Sequence, residues 1–239
     1  MRILEGESVT KNFGGLAAVA QVDFAVHRGE VVGLIGPNGA GKTTLFNLIS
    51  GALVPKSGTI RLRGENITGL KPHLICRKGV ARTFQSVKVF GHMPVHANVL
   101  VGALFGTPNR MSAEDANRET AELLEFVGLS GAGALPARDL TLANQKRLEV
   151  ARALATQPEV LLLDELMAGL NPTEVAETMD LVAKIRERGI TLLMIEHVMK
   201  AIMCACDRII VLHHGKKIAE GTPQEVATSR TVVEVYLGE

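Results

Sequence analysis

Gly36-Pro37-Asn38-Gly39-Ala40-Gly41-Lys42-Thr43-Thr44 fits the pattern G-x-x-x-x-G-K-[ST]. Val31-Val32-Gly33-Leu34-Ile35 precedes it as a short apolar run of strand character, and Leu45-Phe46-Asn47-Leu48-Ile49 follows as an apolar helix ending near Gly51. Strand, glycine-rich turn and helix start are what an anionic phosphate requires. The glycines let the backbone curl so that successive N–H groups point inward. The helix start adds unpaired donors and the positive end of its dipole. Lys42 can reach β- and γ-phosphates, and the Thr43 hydroxyl can ligate Mg²⁺. The competing reading is a glycine-rich turn beside an ordinary lysine; the flanking strand and helix weigh against it.

Around this loop lies a chain of 239 residues, enough for one large domain or two small ones sharing a core. Hydrophobic residues make up 46% and charged residues 21%, which supports a packed core and argues against disorder. Lys and Arg number 26 against 25 Asp and Glu, a net charge of +1. That balance lacks the basic excess of general nucleic-acid binding, so no nucleic-acid partner is expected. Cys76, Cys204 and Cys206 form no C-x-x-C pair; they read as reduced, buried thiols rather than a zinc site. The N-terminus shows no signal-peptide apolar region. The apolar runs at Val160–Leu163 and Ile190–Ile195 fall far short of the ~20 residues of a membrane helix. Work at a membrane would need a partner to hold the chain there.

In order, Ile3–Val9 and Val22–Val26 read as half-buried strands separated by a turn-rich Lys11–Leu16, and Gly58–Gly64 as another short strand. From about Val87 to Gln157 helical segments dominate. Ala116, Thr120, Leu123, Leu124 and Val127 recur at helical spacing, and Asn144–Thr156 reads as a further helix. Val160-Leu161-Leu162-Leu163 is aliphatic without alternation, as in a parallel strand buried on both faces. Asn171-Pro172-Thr173-Glu174 opens a helix with a cap, a first-position proline and a capping-box glutamate. Val175, Met179, Val182 and Ile185 form its apolar face, and Gly189 ends it. Thr191–Ile195 is the next buried strand. Arg208–Gly221 reads as a hairpin turning at His214-Gly215, and a last helix runs toward Tyr236.

Asp164 and Glu165 follow the buried aliphatic strand. An acid at that strand end is where phosphate-loop enzymes hold Mg²⁺, which suits Asp164. Glu165 can orient or deprotonate an attacking water. The alternative is a pair of idle, solvated acids. His197 ends the following strand and can hydrogen-bond near the γ-phosphate; a lone histidine there is also a common structural residue. Gln85, in Thr83-Phe84-Gln85, can ligate Mg²⁺ or position water, or be a plain loop glutamine. Leu140–Leu154 starts with a small polar residue, a cap that can also face an anion, or simply begins an amphipathic helix.

The order of phosphate loop, Gln85, Leu140–Leu154, hydrophobic-Asp164-Glu165 and His197 resembles the ATP-binding subunit of ABC transporters over essentially the whole chain. Phe13-Gly14-Gly15-Leu16, Ala81-Arg82-Thr83-Phe84-Gln85, Lys146–Leu154, Ala168-Gly169-Leu170-Asn171-Pro172 and Tyr236-Leu237-Gly238-Glu239 are similar to the ATPases of branched-chain amino-acid importers. Urea, amide and other hydrophobic-solute importers share much of this pattern. The resemblance implies an α/β P-loop core with a mostly parallel sheet, an antiparallel β subdomain and an inserted helical subdomain. It implies one ABC domain over 1–239, with the core and β-layer at 1–86 and 158–239 and the helical part at 87–157. Gly36, Pro37, Asn38, Gly39, Ala40, Gly41, Lys42, Thr43 and Thr44 would bind ATP, with Phe13 on the adenine, although Phe13 could equally be a core residue. Thr43, Gln85 and Asp164 would hold Mg²⁺, and Glu165, His197 and Gln85 would serve catalysis. Two subunits, identical or not, would pair head-to-tail, with Thr141, Ala143 and Asn144 meeting the partner's ATP and Ala168–Asn171 crossing the interface. Gln85 through Phe90 and Met93 would receive a permease subunit, served in turn by a solute-binding protein. The location implied is the cytoplasmic face of a bacterial or archaeal plasma membrane.

Four positions, in three stretches, depart from the family pattern. Thr141 and Ala143 stand for the usual Ser and Gly, Leu166 for a Pro, and Val198 for an acid. Ala143 is expected to weaken ATP-driven closure relative to Gly, and Leu166 to loosen the turn that presents Glu165. None removes a catalytic group. A non-transport ABC ATPase usually carries a coiled-coil insertion or tandem cassettes, which 239 residues do not accommodate. An unrelated phosphate-loop kinase would leave Leu140–Leu154 unexplained.

Overall fold

The computed structural model describes residues 1–107 and 111–237. Gly238 and Glu239, the end of the last family-like stretch, lie outside them. Among the described residues two sheets form. The first comprises β1 (Arg2–Phe13), β2 (Leu16–His27), β4 (Ser57–Leu62) and β5 (Glu65–Asn66), ordered β2-β1-β4-β5 and antiparallel throughout. The second comprises β3 (Val31–Ile35), β6 (Val80–Arg82), β7 (Val160–Asp164), β8 (Thr191–Ile195), β9 (Arg208–His213) and β10 (Lys216–Gly221). Its order is β10-β9-β3-β8-β7-β6, parallel except for the β9–β10 hairpin.

The parallel strands separate two cores by the period of two that a strand imposes. On β7, Leu161 and Leu163 enter one cluster while Val160 and Leu162 enter the other. On β8, Leu192 and Met194 part from Leu193 and Ile195 in the same way. The first cluster joins this sheet to the helices. The second lies between the two sheets and contains Leu45, Phe46, Leu48 and Ile49 of α1 (Lys42–Ile49). Each buried Leu or Ile contributes about 1.5–3 kcal/mol, so the unalternating strands are the most strongly held part of the chain.

The remaining helices are α2 (Pro72–Arg77), α3 (Val95–Phe105), α4 (Ala113–Phe126), α5 (Leu142–Leu154), α6 (Pro172–Glu187), α7 (Met199–Ala205), α8 (Pro223–Thr228) and α9 (Arg230–Leu237). Helices α3, α4 and α5 pack on one another and form the helical part inserted between β6 and β7. α4 buries Ala116, Thr120, Leu123 and Leu124, the stripe read from the sequence. α6 carries the capping box: Asn171 accepts from the Glu174 N–H, and Glu174 accepts from the Asn171 N–H.

Some expectations change. β1 and β2 are much longer than Ile3–Val9 and Val22–Val26, and the turn shrinks from Lys11–Leu16 to Gly14-Gly15. Ser8 and Gln21 adopt positive φ where the ladder shifts register, and these bulges break the apolar alternation that marks a strand. α5 begins at Leu142, two residues before the expected Asn144, because Thr141 caps it. Cys206 is buried, but Cys76 is half-buried and Cys204 exposed. α2, β6 and α7 carry no clear mark in the sequence; α3 falls within the helical stretch 87–157 but is apolar around its circumference and shows no helical stripe of its own.

Gly102 on α3 sits where α3 crosses α5. A Cβ there would lie 2.5 Å from the Arg152 carbonyl oxygen and 3.0 Å from Ala155 Cβ. Gly102→Ala should therefore destabilise by about 1–3 kcal/mol through overpacking, against the gain Ala brings in an open helix. Thermal unfolding checks this; an unchanged or raised Tm would show that α3 and α5 separate at no cost.

Candidate functional site

The strand ends β3, β7 and β8 bring three separate stretches to one edge of the parallel sheet, and the hairpin tip of β1 and β2 joins them. They enclose a cavity of about 390 Å³ lined by Phe13, Leu16, Ala18, residues Asn38 to Thr44, Gln85, Glu165 and His197. Phe13 is half exposed at this wall, so it is not a core residue. Gly36 and Pro37 lie behind the lining. Their carbonyls accept from Lys42 Nζ at 2.7 and 3.1 Å, which curls the lysine over its own loop. Burial lowers the Lys42 pKa, while Glu165 and Asp164 pull it back up.

Two glycines of the loop are sterically required. A Cβ on Gly36 would meet the Leu212 carbonyl oxygen at 2.1 Å, and one on Gly41 the Ala18 carbonyl oxygen at 2.2 Å; both have positive φ. β9 and β2 therefore press directly on the loop. No side chain caps α1, so its first-turn N–H groups stay available to an anion.

Asp164 lies under this cavity at the end of β7, with its side chain fully buried. Arg82 Nη2 donates to Oδ2 at 2.7 Å, and the Asp164 N–H donates to Thr83 Oγ1 at 3.1 Å. Oδ1 is buried with no partner. Burial raises the Asp164 pKa; Arg82 opposes the rise. A buried carboxylate oxygen with a free lone pair suits a hard cation. Among the described residues no three His, Cys, Asp or Glu side chains converge on a metal position. Such a cation would need phosphate and water oxygens alongside Asp164 and Thr43.

Glu165 projects from a backbone with φ +50°, an uncommon conformation for a side chain of this size. Its two carboxylate oxygens are claimed from opposite sides. His197 Nε2 lies 2.9 Å from Oε1, and Gln85 Nε2 donates to Oε2 at 3.0 Å. Three residues far apart in sequence thus meet at one carboxylate facing Lys42. The turn that carries it is tight despite Leu166. Leu166 is buried, the Glu165 N–H donates to the Ile195 carbonyl at 2.9 Å, and the Ala168 N–H donates to the Glu165 carbonyl at 3.2 Å. Packing of Leu166 and these backbone bonds are what hold the turn where the family pattern has proline. Val198 is half-buried against the helical core.

Thr141, Ala143 and Asn144 do not line this cavity. Thr141 caps α5 and accepts from the Asn144 N–H at 3.3 Å. Ala143 is buried. Ala143→Gly would remove buried surface and helix propensity within the subunit.

The sequence reading gave no role to Arg82, Lys146, Glu149 and Glu196. Arg82 donates also to Asn47 Oδ1 at 2.5 Å and lies over the Phe46 and Phe84 rings. Glu149 accepts from the Lys88 N–H at 3.0 Å and Glu196 from the Met167 N–H at 2.8 Å; burial raises both carboxyl pKa values. Only Glu149, between Leu148 and Val150, stands out in the sequence as a charge between apolar neighbours. Arg82→Met should cost about 3 kcal/mol or more by leaving Asp164 buried and unpaired. Since Arg82 holds the Asp164 pKa down, its loss raises that pKa further. The folded form then binds the proton more tightly than the unfolded chain. The deficit should be full at neutral pH and shrink as pH falls through the raised folded pKa. Chemical denaturation at several pH values checks both statements; a variant as stable as the parent at pH 7 would refute them.

The model of the ABC transporter family matches residues 19–168, and a model described as branched-chain amino acid ATP-binding cassette transporter matches residues 216–239. The high-affinity branched-chain amino acid transport ATP-binding protein BraF of Pseudomonas aeruginosa is 44% identical over 250 residues, covering 99% of this chain and 98% of that protein. LivG of Escherichia coli K12, named for the same transport, is 42% identical with the same coverage. The crystal structure of MJ1267, an ATP-binding cassette of an ABC transporter in its ADP conformation, superposes with a TM-score of 0.91 at 32% identity, covering 100% of both chains. The phosphate loop, the buried Asp164 and the Gln85–Glu165–His197 cluster are thus set in a chain that belongs to the ABC transporter family, as one of its ATP-binding subunits.

Proposed function

We propose that this ATPase subunit hydrolyses Mg²⁺-ATP to drive uptake of branched-chain amino acids. The observation that carries the chemistry is the meeting of Gln85, Glu165 and His197 in the cavity that holds Lys42. In this reading residues Gly36 to Thr44 bind the phosphates, and Phe13 at the cavity wall offers a flat apolar face to the base. Asp164, Thr43 and Gln85 share the Mg²⁺, which neutralises phosphate charge when bound. Glu165 takes a proton from the attacking water; His197 and Gln85 hold its carboxylate in place beforehand.

The cavity is walled by one chain on one side only, and Thr141 and Asn144 stand away from it. This supports a head-to-tail pair in which the cap of α5 closes the cavity of a second ATP-binding subunit. Phosphate charge attracts both halves, and hydrolysis removes that attraction. Residues 1–86 and 158–239 serve as the ATP-binding body, and 87–157 as the helical part that presents the α5 cap.

Among the described residues no helix is long and apolar enough to cross a membrane. A permease must then be gripped from outside the bilayer. An apolar groove of about 440 Å³ lies between the helical part and the core, lined by Phe84, Phe90, Val101 and Phe105. In this reading it receives the permease. Gln85 faces the nucleotide cavity from the adjoining loop, which ties the two; Met93 does not line the groove. The subunit then sits at the cytoplasmic face of a bacterial or archaeal plasma membrane, with a solute-binding protein acting through the permease. The solute is supported by the BraF and LivG relationships and by the match over 216–239. Glu165→Gln keeps the shape and removes the base, so ATP turnover should fall by about 100-fold or more with nucleotide binding retained. Undiminished turnover would remove Glu165 from the mechanism. For the solute, the complex reconstituted with its permease should accumulate labelled leucine, isoleucine or valine in an ATP-dependent way; uptake of urea or amides instead would transfer the assignment to those importers.

A further inference from the structure

Lys146 is a buried lysine whose partners are unusual. It lies in the first turns of α5, just beyond the Thr141 cap, and is 5% exposed. Nζ donates to the carbonyl oxygen of Glu165 at 2.9 Å and to that of Ala168 at 2.7 Å. These carbonyls bracket the tight turn after β7. The same Glu165 carbonyl accepts from the Ala168 N–H, and the residue holds φ +50°. A conformation of this kind costs about 1–3 kcal/mol and persists only where several contacts impose it. Glu196, Glu149 and Glu165 supply the negative charge around the ammonium, and burial acts against that charge by lowering the Lys146 pKa. Buried lysines are rare because desolvation is costly, so a position that keeps one needs a reason.

We infer that Lys146 is a positioning residue that couples the α5 cap to the catalytic carboxylate of the same subunit. The inference rests on the head-to-tail reading above, in which Thr141 and Asn144 meet the nucleotide of the partner. One side chain links the start of α5 to the peptide that aims Glu165. A shift of α5 when its cap meets phosphate is therefore transmitted to the Glu165 carbonyl without passing through the core. Leu142 at the start of α5 also lies beside the turn, since a Cβ added at Gly169 would stand 3.2 Å from Leu142 Cδ2. Two half-sites joined this way turn over together: the cap of each subunit reads one ATP while its Glu165 acts on the other.

The test uses the full chain with Mg²⁺-ATP. Lys146→Met keeps the apolar stem and removes the donors; Lys146→Arg keeps donors and charge. The Met variant should lose about tenfold or more in kcat with KM within about twofold of the parent. The Arg variant should recover a large part of that kcat. In the Glu165→Gln background, ATP-driven dimerisation measured by size-exclusion chromatography should be the same with and without Lys146→Met. Parental kcat in the Met variant would overturn the coupling alone. So would loss of kcat and dimerisation in proportion, which marks Lys146 as a plain structural contact. If the Met variant does not fold, the Arg variant decides: kcat as low as in a Glu165→Gln chain overturns the inference. A Glu165→Gln chain that stays monomeric with ATP would instead refute the head-to-tail reading itself.

Discussion

The burial of β3, β7 and β8 on both faces is the constraint on which everything else depends. Every residue of these three strands is buried, and each strand sends alternate side chains into two different cores. A strand held this way cannot slip by one residue without exchanging its two faces. The register Leu161 to Leu192, and Leu193 to Val32, is therefore locked. Because the strands are parallel, their C-terminal ends share one edge, and whatever follows them is delivered there. The phosphate loop, Asp164-Glu165 and Glu196-His197 are the residues so delivered.

Polar groups at that edge gain their properties from the same burial. Asp164 and Lys42 are both penalised for their charge and each is partly compensated by others in the cluster. Arg82 reaches in from β6 and holds one oxygen of Asp164, leaving the other without a partner. Lys42 meanwhile rests on the carbonyls of its own loop. Asp164 is thus desolvated and held in place by the fold itself, while Lys42 would exchange its loop carbonyls for phosphate oxygens. Glu165 is likewise held between Gln85 and His197 rather than left to solvent.

The helical part stands in a different relation to the core. α5 is hydrogen-bonded to the turn after β7 through Lys146, whereas α3 and α4 contribute mainly apolar packing. Beneath that packing lies the open apolar groove, whose aromatic wall faces solvent at Phe84, Phe90 and Phe105. Polar linkage on one side and an apolar opening on the other are what an element needs if it must answer both to a nucleotide and to a protein partner.

Local chemistry was legible in the amino-acid sequence where a residue type has few alternatives. The glycines and Lys42 of the loop, the unbroken aliphatic runs before Asp164 and after Gly189, and the Asn171-Pro172 helix start each state their own conformation. The family resemblance then placed Gln85, His197 and the α5 cap in a single scheme, and the relatives bear out the family itself. Sequence did not reveal the true length of β1 and β2, because bulges at Ser8 and Gln21 disturb the alternation. Nor did it delimit α3, apolar on all sides, or reveal the tasks of Arg82, Lys146 and Glu196. A charge is assigned by its partners, and these partners lie tens of residues away along the chain. Only folding brings them within hydrogen-bond distance, so tertiary structure alone decided that Lys146 reaches the turn after β7 and that Glu165 is held from two sides.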